Sequence, residues 1–257
     1  MKKKIIFKSI AVLCILACIL SVYQVLKINY EYKQGEEEYS DLVDTFVLPA
    51  SEGNYEPVNI TVEDTSEHVP IDIDFEALMQ QNPNAVGWIY SPGTVINYPV
   101  VQGSDNSYYL NHLFDKRINS SGAIFMDASN SPDMSDVNTV IYGHNMKNGT
   151  MFTAITKYKS QQYYEDHPVI YYLTKDRNYK IDVFSSYETA DKSDAYTIFF
   201  NSEEAYSDFL QQRRDMSQIN TLWLPVSAED NIMTLMTCSY GSKNARYVVH
   251  GKLTPLD

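Results

Sequence analysis

An uncharged apolar segment near the N-terminus constrains what the rest of this chain can form. Residues 9–26 contain no charged side chain, and four lysines lie among the eight residues before them. Eighteen residues in a helix span roughly 27 Å, close to the ~30 Å thickness of a bilayer core. Because no small-x-small cleavage pattern follows, we expect an uncleaved transmembrane signal anchor over residues 9–28. The lysine bias predicts that residues 1–8 are cytoplasmic and that the remaining chain is extracellular.

Export makes the cysteine count informative. Cys14 and Cys18 lie within the apolar segment, so Cys238 is the one cysteine on the exported side. The run that ends at Cys18 only faintly resembles a lipoprotein processing site, because the apolar segment continues beyond it. An intramolecular disulfide needs two exported cysteines, so a lone one is typical of a reactive thiol or an intermolecular link. The alternative is a small, buried and inert strand residue.

Charge divides the exported part into an acidic segment and a domain. The chain has a formal net charge of −13, and residues 31–69 carry eleven acidic residues against one lysine. Their composition and sparse apolar periodicity predict a largely extended, self-repelling tether over 29–69. Residues 70–257 are enough for one domain with a substantial core. The acidic balance and the lack of a basic stripe argue against a nucleic-acid partner.

Strand patterns dominate residues 70–257 and predict a mainly β fold with a few helices. Helical patterns occur over 75–81, over 151–158 and, most clearly, over 203–216, where Asn201 or Ser202 can cap the first turn. Eight short strands with few helices favour a closed or nearly closed β-barrel. The strand candidates are 86–90, 98–102, 122–126, 139–142, 169–174, 179–187, 232–238 and 246–253.

The position of Cys238 at the end of a strand candidate suggests a nucleophile. A turn rich in Gly, Asn and Ser follows it, and Arg246 begins the next strand eight residues later. If the two strands form a hairpin, Cys238 and Arg246 lie close together. A guanidinium stays protonated, so it can favour the thiolate and later hold the oxyanion of a tetrahedral intermediate.

A thiol catalyst needs a proton carrier, and five histidines compete for this role. His144 is the best placed, because it follows Gly143 just after the strand candidate 139–142. We expect the glycine to allow an unusual backbone angle that projects the imidazole from the sheet end. His250 is the alternative, since it shares a strand face with Arg246, although four residues along a strand separate them by roughly 13 Å.

These residues resemble the sortase family of cell-wall transpeptidases, and the class B branch fits best. The resemblance is carried by residues 234–238 (TLMTC), by Arg246 and by residues 142–146 (YGHNM). It covers about residues 72–254. It implies a sortase-like eight-stranded β-barrel with an N-terminal helix and a further helix between strands 6 and 7. Class B character also shows in residues 86–89 (VGWI), 97–102 (NYPVVQ), 108–110 (YYL), 121–127 (SGAIFMD) and 149–152 (GTMF).

The resemblance also implies a reaction. Cys238 would attack the threonine carbonyl of a C-terminal sorting motif and form an acyl-thioenzyme. His144 would protonate the departing amine and then take a proton from an amine of a peptidoglycan precursor. Arg246 would hydrogen-bond the substrate backbone or the oxyanion. The implied partners are surface proteins with a C-terminal sorting signal, the precursor amine and the membrane. The positions that match the peptide groove of class B enzymes are Asn106, Leu110 and Tyr142.

Two residues depart from the class B pattern. Met236 stands where many members have a serine, so a hydroxyl contact to the substrate is absent, and Ser239 follows Cys238 in place of an acid. Residues 127–138 contain scattered acids but lack the glycine and the terminal glutamate of a calcium loop. We therefore predict no metal and no cofactor.

Two other functions remain open at the level of sequence. A pilin polymerase would join subunits through a lysine amine, although no evident lid motif lies between the tether and the domain. A non-catalytic, anchored surface module would carry an inert Cys238. The reactivity of this thiol toward small alkylating reagents separates the second alternative from an enzyme.

Overall fold

The computed structural model describes residues 2–49, 69–238 and 244–256. It begins with helix α1, Lys2–Phe46, and within the described residues the other helices are α2, Phe75–Gln81, α3, Gln161–Asp166, and α4, Glu203–Met216. The 3₁₀ helices are Tyr108–Leu110, Phe152–Lys159 and Asp194–Tyr196. The strands are β1 Val47–Pro49, β2 Ile71–Ile73, β3 Ala85–Tyr90, β4 Asn97–Gln102, β5 Ile124–Met126, β6 Asn138–Tyr142, β7 Val169–Leu173, β8 Asn178–Ala190, β9 Ile232–Cys238 and β10 Ala245–Leu256.

Eight of the strands close into a mixed barrel. Their order is β10-β8-β7-β3-β4-β5-β6-β9, and each corresponds to one of the eight strand candidates. The pairs β4 with β5 and β6 with β9 are parallel, and the other pairs are antiparallel. The predicted eight-stranded barrel is therefore confirmed. Strands β1 and β2 form a separate antiparallel pair that the sequence patterns did not predict.

Alternate residues of β9 face opposite sides of the barrel wall, as the two-residue period of a strand requires. Met233 and Leu235 belong to the main apolar core inside the barrel. Ile232 instead packs with residues of α4, and Met236 packs with a small cluster on the outer surface. Cys238 shares the outer face with Met236, so the thiol points away from the main core.

Helix α4 covers part of this outer face and matches the predicted helix at 203–216. It begins at Ser202, whose Oγ accepts a hydrogen bond from the Ala205 amide at 3.1 Å, and two glutamates occupy its first turn. Its buried residues Tyr206, Phe209 and Leu210 pack against the barrel. The helix predicted over 151–158 is the 3₁₀ helix Phe152–Lys159.

Helix α1 differs from the sequence prediction. Residues 29–46 were expected to be extended, but they continue the N-terminal helix, and Tyr39, Leu42 and Phe46 are buried in the main core. These three residues recur with helical spacing, so one face of the helix is apolar while the acidic residues occupy the others. The prediction of an extended chain is wrong for this part. Residues 50–68 of the predicted tether lie outside the described residues.

The N-terminal part of α1 has the properties of a membrane span. Residues from Ile10 onward form a helix that is long and apolar enough to cross a bilayer, with a mean hydropathy of 2.2 in its most apolar window and none of that window buried. Leu13, Leu20 and Leu26 are each more than half exposed. Length and composition are thus consistent with a membrane anchor or a signal sequence.

Candidate active site

The parallel pairing of β6 and β9 brings their C-terminal ends together. The Gly143 amide donates to the Met236 carbonyl at 3.1 Å, and the Thr237 hydroxyl donates to the Gly143 carbonyl at 2.7 Å. These bonds extend the contact between the two chains beyond the last residue of β6. They place His144 next to Cys238, which is the last residue of β9.

Gly143 is required here for space. A Cβ atom at this position would lie 2.4 Å from Ile124 Cδ1 and 2.7 Å from a ring carbon of Phe152. Gly143 does not have a positive φ, so the prediction of an unusual backbone angle at this residue is wrong. The absence of a side chain lets the strand end pass close to Phe152 on its way to His144.

The pairing of β9 with β10 places Arg246 directly opposite Cys238, as the hairpin interpretation predicted. The Arg246 guanidinium donates through Nη1 to the carbonyls of Ala245 at 3.2 Å and Asn244 at 3.4 Å. These bonds hold its positive charge beside the thiol. The residues that connect the two strands, 239–243, lie outside the described part, and Ser239 is one of them.

Cys238 and His144 change each other's pKa. The hydrogen bond between their side chains is the largest cause of a raised pKa at His144 and of a lowered pKa at Cys238. Burial opposes both shifts, and the Arg246 charge lowers the pKa of Cys238 further. Both changes favour a thiolate beside an imidazolium. Cys238 is nonetheless exposed at the surface, so it is accessible to a substrate.

A main-chain carbonyl fixes the orientation of the His144 ring. Nε2 lies 2.6 Å from the carbonyl oxygen of Leu110. A carbonyl can only accept a hydrogen bond, so Nε2 carries a proton and Nδ1 is the nitrogen that gains or loses one. The same contact with Leu110 contributes to the raised pKa of His144.

All six of the site residues identified from the sequence line one groove of about 280 Å³. Asn106, Leu110 and Tyr142 lie in the same groove as the triad of His144, Cys238 and Arg246. Met236 also lines it and presents a thioether where a hydroxyl was noted as missing. The other lining residues are Phe125, Gly143, Asp191, Tyr196 and Thr237.

Asp127 organises one wall of the groove, a role that the sequence did not indicate. Its Oδ2 accepts hydrogen bonds from the Tyr142 hydroxyl at 2.6 Å and from Asn106 Nδ2 at 2.8 Å. Burial and then the hydrogen bond to Asp127 raise the pKa of Tyr142 well above its usual range. Asn106 Oδ1 in turn accepts from the Ala128 amide at 2.8 Å, so its side chain is fixed at both ends.

Asn145 is a second contributor that was not singled out. Its Nδ2 donates to the main-chain carbonyl of Cys238 at 2.9 Å. This bond ties the loop after His144 to the residue that bears the thiol. Asn145 belongs to the YGHNM segment, so its position directly after His144 in the sequence is the signal that could have identified it.

His250 does not face the groove. It is fully buried, and its ring nitrogens lie 2.9 Å from the Thr234 and Tyr187 hydroxyls. Burial, followed by the charge of Arg213, lowers the pKa of His250 to about 3. The imidazole is therefore neutral and has no path to the thiol, which removes it as the alternative proton carrier.

No group of three or more His, Cys, Asp or Glu side chains within residues 2–49, 69–238 and 244–256 is arranged to hold a metal ion. The side chains of the groove can perform nucleophilic attack by a thiolate, proton transfer by an imidazole and charge stabilisation by a guanidinium.

Comparison with known proteins gives consistent matches. The family model described as the sortase domain matches residues 89–254. Over 255 residues, which are 98% of both chains, the protein is 33% identical to sortase B of Staphylococcus aureus. It is 32% identical, over the same length and coverage, to sortase B of Listeria monocytogenes. The structure of a Staphylococcus aureus sortase B-substrate complex superposes with a TM-score of 0.68 at 37% identity, covering 71% of this chain and 85% of that one.

Proposed function

This chain belongs to the sortase family as a class B cysteine transpeptidase, and we propose that it cleaves a C-terminal sorting motif after threonine and transfers the protein to an amine of peptidoglycan. The observation that carries the assignment of roles is the hydrogen-bonded pair of Cys238 and His144, with Arg246 opposite the thiol, in one exposed groove. The lowered pKa of Cys238 and the raised pKa of His144 favour a nucleophilic thiolate and an acidic imidazolium in the same state.

In the first half of the proposed reaction, the Cys238 thiolate attacks the threonine carbonyl carbon and a C–S bond forms. The Arg246 guanidinium hydrogen-bonds the oxyanion of the tetrahedral intermediate. As the intermediate collapses, the C–N bond breaks and His144 Nδ1 donates its proton to the departing amine. The products are the released C-terminal peptide, a thioester at Cys238 and a neutral imidazole.

In the second half, an amine of a peptidoglycan precursor attacks the thioester. Neutral His144 accepts a proton from this amine, the C–N bond of the new amide forms and the C–S bond breaks. The thiolate and the imidazolium are restored together. Because Nε2 stays bound to the Leu110 carbonyl, a single nitrogen serves as acid in the first half and as base in the second.

The shape of the groove supports a peptide substrate. Leu110, Phe125, Tyr196 and Met236 provide apolar surface, while Asn106 provides an amide already oriented by Asp127. Such a mixture of apolar contacts with a few directed polar groups is typical of ligand-binding sites and is compatible with a peptide. The related enzyme from Staphylococcus aureus has a structure described as a substrate complex.

The proposal extends to the location of the enzyme. Residues 9–28 would cross the membrane with residues 1–8 in the cytoplasm, and the domain of residues 70–257 would lie outside the cell. The segment 29–69 would connect the two. The lysines before the span and the length of the apolar helix support this arrangement.

Mass spectrometry of the full chain in detergent tests the proposed reaction. The protein is incubated with a library of peptides of varied sorting-motif sequence, and then with amines from peptidoglycan cross-bridges in competition with a lysine-bearing protein. We expect a thioester adduct on Cys238 whose acyl part ends in threonine, followed by transfer to the cross-bridge amine. Preferential transfer to the protein lysine would favour pilin polymerisation instead. Adducts that end in another residue, or none with any peptide, would contradict cleavage after threonine.

A further inference from the structure

A row of paired residues leads along the outer face of the barrel from the groove into the protein. In the register of β9 and β10, Cys238 lies opposite Arg246, Met236 opposite Val248 and Thr234 opposite His250. Thr234 is four residues from Cys238 on the same face, a distance of roughly 13 Å along the strand. The first pair lies in the groove, whereas the third is fully buried beneath α4.

The third pair belongs to a chain of buried side chains that the proposed reaction does not use. Arg213 Nη1 lies 3.3 Å from the Tyr187 hydroxyl, which lies 2.9 Å from His250 Nε2. His250 Nδ1 lies 2.9 Å from Thr234 Oγ1, and Thr234 donates to Asn138 Oδ1 at 2.8 Å. We call these five residues the buried relay.

Every hydrogen bond of the buried relay has a fixed direction. The single proton of Thr234 Oγ1 goes to Asn138, so His250 Nδ1 must donate to Thr234. Burial lowers the pKa of His250 and keeps its ring neutral, so Nε2 carries no proton and accepts from Tyr187. The Tyr187 oxygen then accepts from Arg213. This order needs a neutral imidazole with its proton on Nδ1, in agreement with the strongly lowered pKa of His250. Each member therefore depends on its neighbours for a partner.

Both ends of the buried relay hold the same short segment, residues 194–197. At one end the Arg213 guanidinium binds the Asp194 carboxylate with two hydrogen bonds, at 2.9 and 3.2 Å. At the other end Asn138 Nδ2 donates to the carbonyl of Thr197 at 2.8 Å. The segment is closed by the Thr197 amide, which donates to the Asp194 carbonyl at 3.1 Å.

Segment 194–197 forms part of the groove wall. Tyr196 lines the groove, and it packs with Met236 against a cluster of Tyr187, Ala195 and Val248. Ala195 is fully buried and directly precedes Tyr196 in the segment. A displacement of the segment therefore also moves Tyr196 relative to Cys238. Arg213 is only 2% exposed and does not reach the groove, whereas Asp194 is 63% exposed. The buried Arg213 cation is thus paired with a largely exposed carboxylate of segment 194–197.

We propose that the buried relay of Arg213, Tyr187, His250, Thr234 and Asn138 is a positioning device that fixes segment 194–197, and with it the Tyr196 wall of the substrate groove. Its members are positioning residues, because they act on the substrate only through Tyr196. The effect on substrate binding rests on the proposed function, but the hold on the segment does not.

The test is amide hydrogen exchange of the full chain in detergent, with Thr234→Val as the main variant. Valine keeps the shape of threonine but removes the hydroxyl that joins His250 to Asn138. Thr139→Val is the matched control, because Thr139 is also fully buried and its hydroxyl has no hydrogen-bond partner among the residues that the structure describes. Both changes remove one buried hydroxyl from adjacent strands, and only the first breaks the buried relay.

In the Thr234→Val protein we expect amides of residues 191–198 to exchange on the order of tenfold faster, because a buried hydrogen-bond chain has lost its middle member. Exchange in β7 should be unchanged, and Thr139→Val should leave both regions unchanged. Equal acceleration in β7 would indicate general destabilisation and would overturn the proposal. Unchanged exchange in residues 191–198 would do so as well.

A second variant, Arg213→Met, keeps the proposal testable if Thr234→Val folds poorly, because it should also accelerate exchange of residues 191–198. Arg213→Met retains the length of the side chain, and it removes both the donor to the Tyr187 hydroxyl and the partner of the largely exposed Asp194 carboxylate. If both changes act through one relay, Arg213→Met combined with Thr234→Val should accelerate exchange no more than the larger single effect. Additive effects would show that the two residues act separately.

The consequence for substrate has its own readout. For a sorting peptide cleaved by the parent protein, Thr234→Val should raise KM several-fold with little change in kcat, and the rate of Cys238 alkylation by iodoacetamide should stay the same. A fall in alkylation or in kcat with KM unchanged would contradict a role in positioning the wall. If no sorting peptide is cleaved at all, the proposed function fails while the exchange result still decides the buried relay.

Discussion

The hydroxyl of Tyr39 on α1 donates a 2.6 Å hydrogen bond to the carbonyl oxygen of Gly122. Gly122 has a positive φ of 57°. It lies so close to the main chain of Leu110 that a Cβ atom at this position would come within 2.7 Å of the Leu110 oxygen. That same oxygen accepts the hydrogen bond from His144 Nε2. A residue of the N-terminal helix is therefore connected to His144 through two intermediate residues, Gly122 and Leu110.

A second contact joins α1 to the loop that follows His144. Asn148 Nδ2 donates to Glu36 Oε1 at 2.7 Å. The ring of Tyr39 meets the ring of Tyr98 edge to face at 5.3 Å between centroids, and the Tyr98 hydroxyl accepts from the Met151 amide at 2.9 Å. The C-terminal part of α1 thus packs against both segments that orient His144.

Tyr39→Phe should lower the stability of the domain and its activity together. The change keeps the ring but leaves the Gly122 carbonyl without this donor, which costs about 1–3 kcal/mol in unfolding free energy. Thermal unfolding and peptide cleavage measure the two effects. Tyr30→Phe is the control, since Tyr30 lies on the same helix and is exposed. Equal behaviour of the two variants would show that the Tyr39 bond has no effect on the site.

Removal of residues 29–68 should destabilise the domain, in contrast to the expectation for a simple tether. The deletion uncovers the surface that Tyr39, Leu42 and Phe46 bury, each worth roughly 1.5–3 kcal/mol. A protein that starts at residue 69 should unfold at a lower temperature than one that starts at residue 29. Identical unfolding temperatures would mean that the helix does not pack on the domain in solution.

Cys238→Ala should abolish both peptide cleavage and transfer while the protein stays folded. The thiol is exposed and contributes little to packing, so its loss removes the nucleophile alone. Replacement of Cys14 and Cys18 by alanine is the control, and it should leave turnover unchanged. Residual turnover of the Cys238 variant within tenfold of the parent would refute its role.

Arg246→Lys should cost about a hundredfold in turnover despite the retained charge. A lysine ammonium cannot reproduce the planar fork of the guanidinium, and loss of one preorganised oxyanion donor costs roughly 3–4 kcal/mol. Arg117→Lys provides a control at an ion pair outside the groove. Near-parental turnover of the Arg246 variant would show that positive charge alone is sufficient.

The alkylation rate of Cys238 should depend on pH in a way set by its neighbours. Since its pKa is lowered, the thiolate should form at a lower pH than that of an ordinary cysteine, about 8.5. His144→Gln should move the midpoint of the rate profile to higher pH, and Arg246→Met should move it in the same direction by less. His112→Gln, on the surface, should leave the midpoint in place. A parental midpoint at or above the ordinary value would contradict the thiolate assignment.

The parts of the site that sequence could predict are local ones. The hairpin of β9 and β10 joins neighbouring segments, so a turn between two strand patterns was enough to pair Cys238 with Arg246. The approach of His144 depends on the parallel pairing of β6 with β9, which are separated by about ninety residues, and only the family resemblance indicated it. Asp127 has no pattern of its own, because its role arises from Tyr142 and Asn106 converging on it in space.

The main error concerns the segment after the apolar span. Eleven acidic residues over 31–69 suggested repulsion and extension, and this composition obscured the helical spacing of Tyr39, Leu42 and Phe46. A helix with a narrow apolar face can carry many charges on its other faces when a domain covers that face. Average composition over forty residues could not distinguish this case from a disordered linker.

The continuity of α1 changes what the anchor does for the enzyme. A flexible linker would allow the groove to occupy a broad range of positions above the membrane. Residues 29–46 instead continue the same helix for roughly 27 Å, and Tyr39, Leu42 and Phe46 pack this part against the domain. With residues 9–28 in the bilayer, as proposed, this helix is a rigid connection. It holds the groove at one distance from the membrane and limits the rotation of the domain. Under the proposed function, substrates and acceptors must then reach that distance from the membrane, so the distance between a sorting motif and the membrane becomes part of the selection.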